Sequence, residues 1–178
     1  NHDLSGISIQ FANLAGANFA DQNLTNGNFT ASNISGVNLS GADTRGAIPS
    51  SPPFDPMANY TNLIQPNGHI AGLNLSANQR LFVRDYDGYP GVWIAIPIAV
   101  DQHFTIDPAG TLKMVFEDDA WDSTVSFAAG IPVTLGGTLE LTFATDVNIA
   151  DQIGRTFDLF DWTGVTPTGA FAVFGPIA

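Results

Sequence analysis

Residues 12–43 read ANLAGANFADQNLTNGNFTASNISGVNLSGAD, and their period is five. Aligned on the large apolar position, the series runs Leu4, Ile9, Leu14, Phe19, Leu24, Phe29, Ile34 and Leu39, and decays at Thr44. Two residues before each large side chain stands a mostly small one: Ala12, Ala17, Gly27, Val37 and Ala42. His2, Gln22 and Ser32 depart from that rule. The residue immediately before is Asp3, Ser8, Asn13, Asn18, Asn23, Asn28, Asn33, Asn38 or Asp43. Such a period fits neither a 3.6-residue helix nor the two-residue alternation of a strand. One buried side chain every fifth residue requires a chain that turns a corner each time, as a square coil does.

This segment resembles the pentapeptide-repeat family, whose consensus is A-[DN]-L-x-x. The resemblance covers residues 2–46, about a quarter of the chain. It implies a right-handed quadrilateral β-helix with four pentapeptides per coil, the small and large apolar residues inward and the other three outward. A stack of little more than two coils cannot bury both of its ends. Its first coil presents unpaired N–H and C=O groups, a template for another chain at a spacing of about 4.8 Å. Axial stacking between subunits is therefore expected.

The asparagine series writes a second pattern. Asn23, Asn28, Asn33 and Asn38 each begin an N-x-[ST] sequon, as do Asn59 and Asn74. Only Asn23 also has an acidic residue two positions earlier, Asp21, as bacterial oligosaccharyl transfer usually requires. These six are the glycosylation candidates. A repeat with Asn before Leu and Ser or Thr after it also writes sequons automatically, which is the structural alternative.

Pro49, Pro52, Pro53 and Pro56 crowd residues 47–62, which read as an extended linker unable to join a ladder. Beyond it, β-branched residues and apolar/polar alternation predominate, giving about ten short strands between turn signals such as Asp107-Pro108-Ala109-Gly110. Gly136-Gly137 between two strands reads as a tight hairpin, and only Asn148–Ile153 suggests a helical turn. The whole is expected to be all-β: a pentapeptide-repeat solenoid over 1–46, the linker over 47–62, and an antiparallel β-sandwich or jelly-roll-like domain over 63–178. The stretches FEDDAWDSTVSFAAGIPVTLGGTLELTFA (116–144) and GRTFDLFDWTGVTPTGAFAVF (154–174) resemble a C-terminal β-domain of secreted bacterial proteins. The resemblance covers roughly residues 63–174; that domain often precedes a PEP-CTERM-type sorting tail, and the resemblance brings no known activity.

Composition narrows the functions. The 178 residues carry five Lys+Arg against 17 Asp+Glu, a formal charge of −12, so no basic patch for nucleic acid can be assembled. Charged residues make up only 12%, well below the roughly 25% of an average soluble domain, leaving the surface to Asn, Ser, Thr and Gly. No Cys is present, and no apolar run reaches the roughly 20 residues of a membrane span. The chain opens at Asn1 with neither Met nor a signal-peptide pattern, which reads as a processed or trimmed chain.

Glu117, Asp118, Asp119 and Asp122 place four carboxylates beside Trp121, a set suited to Ca²⁺ or else a solvated acidic turn. Asp85-Tyr86-Asp87-Gly88 starts like a calcium loop but lacks the later ligands. His2, His69 and His103 have no zinc spacing, and no G-x-S-x-G elbow or phosphate loop occurs. Trp93, Trp121 and Trp162 with Tyr86 and Tyr89 could form a sugar platform, though in a β-domain large aromatics more often fill the core. The reading is a secreted, non-enzymatic structural protein, self-assembling into an extracellular fibre or surface layer and carrying covalent glycan, with no cofactor required and Ca²⁺ as an optional ligand. A monomeric calcium-dependent adhesion or carbohydrate-binding module is the runner-up. A DNA-mimic role fails on charge, because residues 2–46 hold only Asp3, Asp21 and Asp43, opposed by Arg45.

Overall fold

The computed structural model describes residues 3–50, 55, 57–76, 78–86, 88, 94–117, 120–145 and 147–174. The five-residue period becomes a square coil. Asp3 pairs with Asn23, Ser8 with Asn28, Asn13 with Asn33 and Asn18 with Asn38, one bridge per side and all parallel. Asn23 then pairs with Asp43 and Asn28 with Ile48 in the next layer. Each corner is a tight turn whose third residue has positive φ, from Gly6 to Gly46. The turn is closed by the N–H of the small residue donating to the carbonyl of the large one, as in Ala17 to Leu14 and Val37 to Ile34. Leu24, Phe29, Ala42, Ala47 and Leu63 are buried inside, with Leu14, Phe19 and Leu39 packed against them.

The expected linker carries part of this ladder. Ile48 donates to the Gly27 carbonyl and Asn59 pairs with Asn38, and just beyond the linker Ile64 pairs with Asp43. Pro52, Pro53 and Pro56 lie outside the described residues. The prolines restrict their own positions, but the residues flanking them retain N–H groups and use them.

From residue 69 onward the expected antiparallel sandwich is replaced by a parallel coil of three sheets. In the first, β1 (His69–Ile70), β4 (Ile98–Val100) and β7 (Val125–Phe127) stack in that order. In the second, the order is β2 (Leu73–Leu75), β5 (Phe104–Ile106), β8 (Val133–Leu135) and β10 (Thr168–Gly169). The third stacks β3 (Arg80–Arg84), β6 (Thr111–Phe116), β9 (Thr138–Phe143) and β11 (Ala172–Phe174). Every strand pair is parallel. The helical turn expected near Asn148 is a short 3₁₀ segment, Ile149–Gln152, capped by the Asn148 side chain.

Alternation within each strand turns one face inward, and the register stacks like on like. Ile70 lies against Val100 and Val100 against Phe127; Leu73, Phe104 and Val133 form a second column; Leu81, Leu112 and Leu139 form a third. These residues make one buried core. On an outward face the same register aligns Lys113 with Glu140, and the two form an ion pair.

Gly136-Gly137 is not a hairpin. It turns the chain from β8 in one sheet to β9 in another, sitting on the equivalent corner of the preceding layer. Gly137 has φ of 58°, and a Cβ there would meet the carbonyl oxygens of Asp107 and Gly110. Glycine allows both the left-handed backbone and the close approach of the layers.

Candidate functional site: the open first coil

In the first coil, the hydrogen bonds to the second coil come from residues flanking the bridge positions. Leu14 donates to the Asn33 carbonyl and Asn33 donates to the Ala12 carbonyl; the same pattern holds around Ser8 and Asn18. The backbone N–H and C=O of Ser8, Asn13 and Asn18 therefore point away from the second coil, and take no backbone partner among the described residues. Side chains continue the same direction. Asn23 donates through Nδ2 to Asp3 Oδ1 at 2.9 Å, and Asn33 to Asn13 Oδ1 at 3.0 Å, so the amide ladder runs toward the open face. The result is a regular array of donors and acceptors, able to pair with another backbone edge.

The glycosylation candidates have a structural task as well. Oδ1 of Asn23, Asn28, Asn33, Asn38 and Asn59 each accepts the N–H two residues on, fixing the entry to the corner. In three of them the Thr or Ser hydroxyl of the sequon donates to the same oxygen, from Thr25, Thr30 and Ser40. Asn23 is buried, Asn28 and Asn38 are half-buried, and Asn33, Asn59 and Asn74 are exposed. Asn74 lies on β2, where its N–H and C=O bond the Asn62 side chain.

Asp118 and Asp119 lie outside the described residues, Glu117 pairs with Arg84 at 3.2 Å, and the Asp122 N–H donates to Asp85. Among the described residues no group of three or more His, Asp or Glu is close enough to hold a metal ion. His69 meets Asp101 at 2.8 Å. Trp93 and Tyr89 lie outside the described residues, while Trp121 packs on Phe116 and Trp162 stacks between Phe127 and Phe160. A cavity of about 260 Å³ inside the square coil is lined by Leu14, Phe19, Ile34 and Leu39 among others, with no charged group.

Two carboxyls are held below their ordinary range: Asp55 by the N–H groups of Met57 and Gly36, and Asp161 by the hydroxyl and N–H of Thr163. Burial instead raises Asp21.

Arg45 is the residue whose importance the repeat pattern conceals. It occupies an outward position yet is fully buried, paired with Asp43 at 2.6 Å. All five of its N–H groups are used: Nε on Asp43, Nη1 on Ser123 Oγ and the Ile96 carbonyl, Nη2 on Asp43 and the Arg84 carbonyl. The Tyr86 ring lies 4.9 Å from its guanidinium carbon, and Tyr86 donates to Asn26. One charged side chain thus joins the square coil to the three-sheet coil. Its only trace in the sequence is a cation two residues after Asp43 in a repeat nearly free of charge.

Residues 3–48 match the family model of pentapeptide repeats, in eight copies. Solenoids of such repeats are typically structural or non-catalytic. No curated protein and no solved structure matches the chain. The matches give no support to the resemblance over residues 63–174. Among the described residues no helix is long and apolar enough to cross a membrane.

Proposed function

We propose that this protein is a secreted structural subunit that assembles end to end into an extracellular fibre or surface layer and carries glycan on exposed asparagines. The observation that carries the reading is the open first coil, with Ser8, Asn13 and Asn18 offering their backbone groups at a spacing of five residues. Backbone groups left free along a coil in this way can take a further parallel layer from another chain. Asn33, Asn59 and Asn74 are the sequon residues most open to a glycan. The calcium-dependent binding module draws less support, since Glu117 is engaged by Arg84 and the faces of Trp121 and Trp162 are used in packing.

Electron microscopy of undenatured protein tests this reading. Ordered filaments or sheets with an axial repeat of one subunit support it, and mass spectrometry of peptides containing Asn33, Asn59 and Asn74 reads the glycan. Dispersed particles of 18.8 kDa at every salt and calcium condition would overturn it.

A further inference from the structure

The apolar cavity of the square coil is larger than a packed interior ordinarily leaves. Protein cores are close-packed, and voids wider than a water molecule are few. Here about 260 Å³ stands open between Leu14, Phe19, Phe29, Ile34 and Leu39. The repeat accounts for the space. Asn23 pairs with Asp43 and Asn28 with Ile48, which sets Thr44 in register with Leu24 and Pro49 with Phe29. Two successive positions that one layer fills with Leu and Phe therefore carry smaller side chains in the next, and Thr44 and Pro49 both lie on the cavity wall. Three polar side chains of that wall already have partners. Thr44 Oγ1 donates to the Ile64 carbonyl at 2.7 Å, Tyr60 Oη accepts the Asp55 N–H at 3.2 Å, and Asn67 Oδ1 accepts the His69 N–H at 3.2 Å. A trapped water needs about two to four polar partners, and the Leu, Ile, Phe and Val side chains that dominate the wall supply none.

We propose that this cavity is a binding site for an uncharged hydrocarbon about the size of a substituted benzene ring. An apolar cavity of about 150 Å³ walled by Leu, Ile and Phe stays dry and takes up benzene. The same residue types wall this one, and its volume is greater. A ligand there restores the dispersion contacts that the lining side chains lack on their open side. The rings of Phe19 and Phe29 meet edge to face with centroids 6.2 Å apart, which gives the wall an aromatic corner for a ring to pack against. Among the described residues no charged side chain lines the cavity, so a charged ligand would lose its hydration and gain no counter-charge. The wall extends to Gln65, Pro66 and Asn67, and Asn67 is exposed, which brings one side of the site near solvent. Binding within the coil is independent of whether copies of the protein assemble.

The test uses the full chain, with p-xylene as the probe and benzoate, a ring of similar size that carries a charge, as the control. At about ten times its Kd, p-xylene is expected to raise the melting temperature by about 3–6 °C and to shift the methyl resonances of Leu14, Ile34 and Leu39. Benzoate should do neither. Thr44→Leu restores the large side chain of the repeat, and the backbone N–H of position 44 still serves the Ile64 carbonyl. That variant should lose roughly tenfold or more in p-xylene affinity, because the added side chain occupies the space. Thr44→Val removes the hydroxyl at nearly constant volume and should hold the affinity within about twofold, which separates lost space from a lost hydrogen bond. Wild-type protein whose melting temperature and methyl resonances ignore saturating p-xylene overturns the proposal. An affinity left unchanged by Thr44→Leu, or benzoate bound as tightly as p-xylene, overturns it as well. If Thr44→Leu does not fold, the wild-type spectrum decides: shifts centred on Leu14, Ile34 and Leu39 support the site, and shifts that spare them overturn it.

Discussion

At position 45 a single cation satisfies every one of its donors inside the protein, and the pair it forms with Asp43 has almost no contact with water. Taking two charges out of water costs several kcal/mol per ion, and the attraction and the added hydrogen bonds must offset that. Removing one partner is worse than removing both, because the other is left buried and uncompensated. Arg45→Ala is therefore expected to lower stability by about 3–5 kcal/mol in denaturant unfolding, with Asp43→Asn in the same chain recovering part of the loss. The asparagines show the opposite balance of legibility. Their place before each large apolar residue was readable as a repeat, and their sequons as chemistry. Which of them are exposed was not, because Asn23 and Asn33 occupy the same place in the repeat and differ only in what the rest of the chain lays over them.

At the scale of the element, inward and outward faces were legible and partners were not. Alternation in Leu73–Leu75, Arg80–Arg84 and Thr111–Phe116 marks a buried face whether the neighbour is parallel or antiparallel. Gly136-Gly137 shows the consequence. Two glycines between strands serve equally for a hairpin or for a corner, and the corner prevails because β8 and β9 each find a partner in the preceding layer, β5 and β6. The distinction is measurable. Gly137→Ala places a Cβ against two carbonyl oxygens of the layer beneath and adds backbone strain, whereas Gly130→Ala adds strain with nothing near the new methyl. Gly137→Ala is expected to cost well over the roughly 1–2 kcal/mol of left-handed strain, and Gly130→Ala no more than that, in parallel thermal or denaturant unfolding.

For the whole molecule the sign and size of the charge matter more than any one side chain. Seventeen acidic against five basic residues make two copies repel at long range, while the end-to-end contact proposed for this protein is made of backbone groups. Screening removes the first and leaves the second. Association followed by light scattering should therefore strengthen as ionic strength rises from about 0.01 to 0.5 M, over which the Debye length falls from roughly 30 Å to a few ångströms. Assembly that weakens with salt would point to ion pairs between copies instead.

The square coil was readable because its information is local. Each five-residue unit carries its own corner, its own inward side chain and its own Asn to hold the turn, so the period implies the geometry before any distant contact forms. The three-sheet coil carries no such unit. Its strands announce themselves by alternation, but Leu73 with Phe104 and Leu81 with Leu112 are brought together across long stretches of chain. Only the packed molecule, where apolar columns and backbone ladders must be satisfied together, selects parallel stacking over a sandwich. Arg45 marks the boundary between the two cases: its residue type is local, but its burial depends on Arg84, Ile96 and Ser123 arriving from elsewhere in the chain.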